Sequence, residues 1–124
     1  MTETSGRLTT HVLDVSRGIP ASGMVLQLRR LGEDEVLLCE AVTNLDGRLD
    51  APLLKGTGMK PGGYELLFMA GDYFRSMQPG GPVGAQEPSF LEQIPIRFHI
   101  SNASDHYHVP LLVAPGGYST YRGS

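Results

Sequence analysis

The sequence predicts an all-β domain: a sandwich of seven or eight short strands with one short helix. One observation is the frequency of glycine and proline, since 16 glycines and 9 prolines make up about a fifth of the 124 residues, against roughly 12% in an average protein. Such a chain is interrupted every few residues, which excludes helical bundles and coiled coils. The other observation is that apolar and polar residues alternate in many short runs separated by turn residues, the pattern of strands in a sandwich.

Length and charge narrow the class of protein further. We expect one domain over residues 1–124, with residues 1–6 flexible. The net charge of −3 comes without a basic stripe, so no nucleic-acid surface is indicated. No apolar run approaches the ~20 residues that span a bilayer, and no signal-peptide stretch opens the chain, so we expect a cytoplasmic protein without membrane contact. The single Cys39 lies in an apolar run and is interpreted as a small buried hydrophobe.

The first half of the chain predicts three strands, each an alternating run that ends at a turn. They cover Arg7 to Val15, Met24 to Leu31 and Glu35 to Thr43. Gly18-Ile19-Pro20 ends the first strand, and a turn at residues 32–34 joins the other two. A second turn, Asn44 to Gly47, contains Asp-Gly, a strong tight-turn pattern that aims Arg48 out of the turn.

The middle of the chain predicts one strand and the helix. Residues 55 to 63 read as a loop. Tyr64 to Met69 is apolar on both faces, as expected of a strand that is either interior to a sheet or covered by a partner subunit. Ala70 to Met77 is predicted to form the helix, and the stretch from Gln78 to Pro88 a second loop.

Three strands are predicted after this loop. They cover Phe90 to Ile100, His106 to Val113 and Tyr118 to Ser124, with a turn at residues 115–117 before the last. Pro95 within the first of them indicates an edge strand or a bulge. The last strand runs to the end of the chain, where residues usually become polar and frayed. Either it completes a sheet, or the terminus contributes groups to a site.

Few residues are candidates for chemistry. The four histidines are His11, His99, His106 and His108. His106 and His108 are two apart and share one face of their strand. A zinc site from the last three is conceivable, but no cysteine or acidic cluster accompanies them, and a single strand histidine is more typically structural. By position alone, Arg48 is typical of a solvated hairpin residue. No Gly-x-Ser-x-Gly elbow indicates a serine hydrolase.

Taken together, several segments resemble the transthyretin-like 5-hydroxyisourate hydrolases. They are Leu8-Thr-Thr-His11-Val-Leu-Asp14, Asp46-Gly47-Arg48, Ile94-Pro-Ile-Arg-Phe98, His106-Tyr-His-Val-Pro-Leu-Leu112 and Gly117-Tyr-Ser-Thr-Tyr-Arg-Gly-Ser124. The terminal Tyr-Arg-Gly-Ser is similar to the feature that separates the enzymes from the hormone carrier transthyretin. The resemblance runs in order from Leu8 to Ser124. It raises the functional interpretation of four residues above what position alone supports: His11, Arg48, His108 and Tyr121.

The resemblance implies a transthyretin-like two-sheet β-sandwich that assembles as a homotetramer, a dimer of dimers, with active sites facing the channel between dimers. The implied reaction is hydrolysis of 5-hydroxyisourate to 2-oxo-4-hydroxy-4-carboxy-5-ureidoimidazoline in urate degradation, without a metal or organic cofactor. The implied catalytic residues are His11, Arg48, His108 and Ser124, and the implied substrate-binding residues are His11, Arg48 and Tyr121.

The chemistry of these groups suggests roles. A neutral imidazole can take a proton from water near pH 7, and His108 is favoured as this base over His11, which would orient the water or protonate the leaving nitrogen. The planar fork of Arg48 suits a flat substrate rich in carbonyl oxygens. Whether Ser124 acts chemically or only positions the substrate stays open. The competing interpretation is a transthyretin-like carrier of a small ligand without catalysis.

Overall fold

In the computed structural model two β-sheets pack face to face, with a short helix at one side. The structure describes residues 6–77 and 88–123. The strands in this part of the chain are β1 (Arg7–Asp14), β2 (Ile19–Pro20), β3 (Val25–Arg30), β4 (Val36–Val42), β5 (Leu54–Lys55), β6 (Gly62–Phe68), β7 (Ile94–Ile100), β8 (His106–Ala114) and β9 (Gly117–Thr120). A 3-10 turn covers Gly56–Gly58, and the helix α1 covers Ala70–Ser76.

The strands form two sheets. Sheet I has the order β2-β1-β8-β9, with β5 also paired to β1, and sheet II has the order β4-β3-β6-β7. The pair β1 and β8 is parallel, and every other pairing of named strands in the described residues is antiparallel. The predicted two-sheet sandwich with one short helix is therefore confirmed. The described residues form seven strands of four residues or more and two further strands of only two residues, β2 and β5.

The core lies between the inward faces of the two sheets. In β1 every second residue is buried, so that Leu8 and Val12 point into the core. Leu26 and Leu28 of β3 and Phe68 of β6 face them from sheet II and are fully buried as well. Each such side chain contributes about 1.5–3 kcal/mol of burial free energy, so the alternation itself fixes which face of each strand is outward.

The strand predicted to be apolar on both faces is interior. β6 lies between β3 and β7 in sheet II, so it is an interior strand of its sheet. The helix follows it at the predicted place. β7 is the edge strand of sheet II, as Pro95 indicated.

The strand predicted over Phe90 to Ile100 begins four residues later in the structure. Residues 90–93 do not extend β7, which begins at Ile94, and Phe90 is 86% exposed. This segment packs against the helix instead, because Gly71 N–H donates to the Glu92 carbonyl at 2.9 Å and Arg75 Nη1 donates to Glu92 Oε2 at 2.5 Å. Tertiary hydrogen bonds to α1 outweigh the alternation of this short run.

Three other boundaries differ from prediction. The expected loop over residues 55 to 63 begins with a β5 residue and ends with two β6 residues, and Ile19–Pro20 pairs as β2 instead of only ending β1. The last strand, β9, ends at Thr120, and the chain then returns to sheet I through an isolated bridge from Gly123 to His108. Of the expected loop from Gln78 to Pro88, residues 78–87 lie outside the described residues.

A buried carboxylate ties the helix to the end of β1. Asp14 is fully buried and accepts hydrogen bonds from Ser16 N–H and Oγ and from the Tyr73 hydroxyl, the last at 2.9 Å. Burial and the neighbouring carboxylate raise the pKa of Tyr73 to about 12, so the phenol stays a donor. Because the charge is satisfied on several sides, its burial is tolerated, and the direction of β1 is fixed at this end.

Candidate active site

Three of the predicted site residues, His11, Arg48 and His108, lie together on the outward face of sheet I. The parallel register of β1 and β8 places Arg7 opposite His106, Thr9 opposite His108 and His11 opposite Pro110. Residues at every second position of β1 point inward and are buried, so Thr9 and His11 point outward. Two histidines that lie almost 100 positions apart in the sequence are thereby neighbours on one surface.

Arg48 joins this surface because its turn is docked against β1. Gly47 has a φ of +77°, and an added Cβ would lie 2.4 Å from the Val12 carbonyl oxygen, so only glycine fits. Val12 N–H donates to the Gly47 carbonyl at 2.8 Å, and Arg48 forms an isolated bridge with His11. The Asn44 side chain accepts hydrogen bonds from the backbone N–H of Arg48, which fixes the turn from within. The backbone of Arg48 therefore lies beside that of His11.

The His11 ring is held by the same turn. Its Nε2 lies 3.0 Å from the Asp46 carbonyl oxygen. A carbonyl oxygen only accepts, so Nε2 carries the proton in this hydrogen bond, and Nδ1 is the nitrogen left to interact with a ligand. The tautomer of His11 is therefore fixed by the backbone of the turn.

The His108 ring is held by a hydroxyl group and by the chain terminus. Thr9 Oγ1 lies 2.8 Å from His108 Nδ1. Gly123 donates its N–H to the His108 carbonyl at 2.7 Å, and a Cβ on Gly123 would lie 2.6 Å from His108 Cδ2. Burial lowers the pKa of His108, and the positive charge of Arg48 and of His11 lowers it further. Neutral imidazole is thus the dominant form near pH 7, which is the form that accepts a proton.

An open hollow of about 350 Å³ lies over Arg48 and His108. Its lining consists of cationic or hydrogen-bonding side chains from β1, β8 and the turn: Arg7, Thr9, Arg48, His106 and His108. A second hollow of about 230 Å³ adjoins it, because Arg7, Thr9 and Arg48 line both. Together they offer a positively charged surface with room for a small planar anion or a carbonyl-rich ring.

The arginines of the hollow differ from the others. In residues 6–77 and 88–123, the guanidinium groups of Arg7 and Arg48 form no hydrogen bond, ion pair or ring contact within the chain, whereas the other six arginines do. An unpaired guanidinium on an ordered surface keeps all its donors for an oxygen-rich ligand.

The terminal residues divide between two places. Tyr121 is 61% exposed and lines a different cleft, about 390 Å³, between β7 and the β8–β9 edge, rather than the hollow over His108. Arg122 is tied down as expected of a structural residue, donating to the His106 carbonyl at 3.1 Å and lying 4.2 Å from the Tyr107 ring. Ser124 lies outside the described residues.

No metal cluster is found in the described part of the chain: it holds no group of three or more histidine, cysteine, aspartate or glutamate side chains that could bind an ion. His99 is on β7 in sheet II, whereas His106 and His108 are on β8 in sheet I. Within the same residues, no helix is long and apolar enough to cross a membrane.

Sequence reasoning missed two residues that hold His108 and one that lines the hollow beside it. Thr9, Arg7 and Gly123 were part of motifs or strands but had no assigned role. For Thr9 and Arg7 a usable indication existed, because they precede His11 by two and four positions on one strand and therefore share its face. For Gly123 only the packing of the terminus on the ring reveals the requirement.

Comparison with known proteins gives consistent matches over nearly the whole chain. The model of the HIUase/Transthyretin family matches residues 8–123. A "5-hydroxyisourate hydrolase 2" from Rhizobium meliloti (strain 1021) is 56% identical over 121 residues, which cover 97% of this chain and 98% of that protein. These matches are long and close enough to define a family.

Solved structures match the fold as well. A 5-hydroxyisourate hydrolase from Klebsiella pneumoniae has a TM-score of 0.75 and 39% identity over 96% of this chain and 99% of its own. Transthyretin from Sparus aurata has a TM-score of 0.78 at 21% identity, over 94% of this chain and 96% of its own, and supports the fold alone. A crystal structure of (S)-allantoin synthase has a TM-score of 0.86 and 46% identity over all of this chain, which spans 46% of that longer chain.

Proposed function

Because the chain belongs to the HIUase/transthyretin family, we propose that it is an enzyme that hydrolyses 5-hydroxyisourate to 2-oxo-4-hydroxy-4-carboxy-5-ureidoimidazoline in urate degradation. The observation that carries this proposal is one open hollow in which a neutral histidine lies beside an arginine without an internal partner. A proton acceptor and a free oxygen-binding fork are what the hydrolysis of a cyclic amide requires.

In the proposed reaction, water adds to a ring carbonyl of the six-membered ring. The new bond joins the water oxygen to the carbonyl carbon, the carbon–nitrogen bond of the ring breaks, and the released nitrogen takes the proton that His108 has accepted from water. His108 accepts the proton from water at Nε2, since Nδ1 faces Thr9. Its lowered pKa supports this role, because a base must be unprotonated at the working pH.

Arg48 binds the substrate oxygens and stabilises the negative charge that develops on the attacked carbonyl. Its guanidinium has no partner in the described residues, so no internal ion pair must break before substrate binds. One such donor contributes about 3 kcal/mol to the transition state. His11, with Nε2 donating to the Asp46 carbonyl, keeps the lone pair of Nδ1 to accept a hydrogen bond from the water or the substrate and thereby orients it. In this tautomer Nδ1 has no proton to give to the leaving nitrogen.

Tyr121 and Ser124 are proposed to complete the site from the terminus, Tyr121 by contacting substrate and Ser124 by hydrogen bonding to substrate or water. Gly123 supports this placement, because its backbone is bonded to His108. Removal of residues 121–124 should therefore abolish turnover without unfolding the sandwich. Tyr121 is accommodated in this role only if the aromatic ring leaves its cleft or a neighbouring subunit supplies it.

We further propose that four chains assemble as a dimer of dimers. Beyond the hollow, the outward face of sheet I is apolar: Leu13, Val15, Leu112 and Ala114 lie at least partly exposed there. A second copy on this face would cover them and close the hollow into a channel. Light scattering should report the mass of four chains, and a monomer would contradict the proposal.

The activity is tested by generating 5-hydroxyisourate with urate oxidase and following its ultraviolet decay with and without the protein. We expect decay many times faster than the spontaneous rate, proportional to protein concentration and absent after heat inactivation. Decay at the spontaneous rate, with ligand binding retained, would instead indicate a carrier.

A further inference from the structure

The contact between Thr9 and His108 is a direct link between β1 and the proposed base. Thr9 Oγ1 lies 2.8 Å from His108 Nδ1, and both residues are half-buried. The contact follows from strand pairing, since Thr9 and His108 are opposite each other in the parallel register. Within the described residues the Thr9 hydroxyl forms no other hydrogen bond. It is therefore available to this ring alone.

A hydroxyl group holds an imidazole differently from a carbonyl group. The Asp46 carbonyl that faces His11 accepts only, so it fixes one tautomer. A threonine hydroxyl both donates and accepts, and it rotates to suit the ring. It can therefore keep a hydrogen bond to His108 Nδ1 whether that nitrogen carries a proton or a lone pair.

We infer that Thr9 is the positioning residue of His108: its hydroxyl holds Nδ1 throughout the proton transfer, so that Nε2 is the nitrogen presented to water. This inference rests on the proposed function. Before the transfer, Nδ1–H donates to Thr9 Oγ1 and Nε2 carries the lone pair. The water proton then moves to Nε2, Nδ1–H stays in place, and the hydrogen bond becomes charge-assisted and stronger. No proton leaves Thr9.

The other side of the ring is closed by the terminus. Gly123 packs so closely against His108 that an added Cβ would lie 2.6 Å from Cδ2. The ring is thus confined between the hydroxyl of Thr9 and the backbone of Gly123, and it turns only if one of them moves. The hydroxyl supplies the polar half of this confinement, and it decides which nitrogen faces the hollow.

The charged groups near His108 are known, so their effect can be separated from that of Thr9. Arg48 and His11 lower its pKa, and Arg7 and His106 line the same hollow. All four are unchanged when only Thr9 is replaced. A change in the pH profile of a Thr9 variant therefore reports the lost hydrogen bond, because no charge has been altered.

The test uses Thr9→Val, which keeps the shape of the side chain but loses the hydroxyl, and Thr9→Ser, which keeps the hydroxyl. Thr120→Val is the matched control, since it removes a threonine hydrogen bond of the same sheet, to the Pro110 carbonyl, without touching the ring. We expect Thr9→Val to lower kcat about 10- to 100-fold with KM within about twofold, since misplacing a base costs much of its contribution. Thr9→Ser should recover most of kcat, and Thr120→Val should match the original protein.

Nitrogen-15 spectra of the His108 ring provide the second readout. In the original protein and in Thr9→Ser, Nδ1 should be the protonated nitrogen of the neutral ring. In Thr9→Val the Nδ1 signal should lose its hydrogen-bonded shift, and the acid limb of kcat/KM should move to lower pH, because the hydrogen bond that strengthens when the ring is protonated is lost. Unchanged kcat and ring spectra in Thr9→Val would overturn the inference, as would a Thr9→Ser variant as inactive as Thr9→Val. If the original protein has no activity, the proposed function fails, while the ring spectra still decide whether the Thr9 hydroxyl holds Nδ1.

Discussion

The outward faces of the two sheets carry similar charges that are used in opposite ways. On sheet II, Arg29 Nη1 lies 3.3 Å from Glu35 Oε2, and Arg97 Nε donates to Glu65 Oε1 at 2.9 Å. Each of these guanidinium groups is neutralised by a carboxylate of the same face. Such a surface is satisfied by itself and has little left to offer a ligand.

On sheet I the two arginines beside the histidines form no ion pair with a carboxylate of the described residues. Arg7 and Arg48 have no partner in the described residues, and the two histidines are held by uncharged oxygens, the Asp46 carbonyl and the Thr9 hydroxyl. Neutral partners orient an imidazole without raising its pKa as a carboxylate would. The charges of sheet II therefore serve the fold, whereas those of sheet I are held in place but remain available to a ligand.

The largest expected effect comes from the fork of Arg48. Arg48→Lys keeps the charge but loses the planar set of donors, so kcat/KM should fall about 100-fold or more, in line with the loss of one donor to a developing oxyanion. Assay of 5-hydroxyisourate decay measures it. Arg29→Lys on sheet II is the matched control and should leave kcat/KM unchanged. If kcat/KM of Arg48→Lys stayed within threefold of the original value, the arginine fork of sheet I would be no more important for activity than the paired arginines of sheet II.

The terminus should have the next largest effect. Gly123→Ala introduces a Cβ that would lie 2.6 Å from His108 Cδ2, so the ring or the chain end must move, and we expect kcat to fall about tenfold. Gly116→Ala is the control, because an added Cβ there meets nothing within 4 Å. Circular dichroism should show both variants folded. Equal activity of the two variants would show that the terminus does not confine the ring.

These two residues also show what the sequence could predict. The role of Arg48 could be predicted because an Asp-Gly turn is a local pattern and the ordered motifs resemble one family. The outward face of β8 was accessible because strand alternation is local too. Neither Thr9 nor Gly123 was assigned, because their contacts with His108 depend on pairing between segments far apart in the chain, whose register is set by the whole core.

The same distinction explains the errors in the elements. β2 and β5 have two residues each, too few for any periodicity to appear. Residues 90–93 continue the alternation of β7 but are bound to the helix through Glu92. Local pattern thus predicted the long strands and the helix, and it failed where a tertiary hydrogen bond decided the conformation.

The pH dependence of kcat/KM tests whether the unpaired charge of Arg48 acts on His108. Because burial, Arg48 and His11 lower its pKa, activity should persist as the pH falls through 6.5 and be lost only below, when the ring is protonated and can no longer accept a proton. Arg48→Gln removes the positive charge, so the acid limb of kcat/KM should move to higher pH, while Arg48→Lys should leave it in place. His11, whose charge also acts on His108, and Arg7 and His106, which line this hollow, are the same in both variants.

The ring titration of His108, followed by nuclear magnetic resonance, should move in the same direction as the acid limb. Arg29→Gln on sheet II serves as the control and should move neither. If Arg48→Gln left the midpoint unchanged, the charge of Arg48 would not reach His108, and its role would reduce to holding substrate oxygens.

The smallest effect is expected where sheet II is satisfied by itself. Glu35→Gln removes the carboxylate partner of Arg29, an exposed pair whose contribution to the free energy of unfolding is about 0–1 kcal/mol. Denaturant unfolding should show a loss within this range, and kcat/KM should stay at the original value, because the freed guanidinium lies on the face opposite the hollow. A variant with lower activity would mean that sheet II affects the reaction and that its charges do not serve the fold alone. The contrast between the two sheets therefore requires both results: almost no effect of Glu35→Gln on sheet II and a large loss of activity in Arg48→Lys on sheet I.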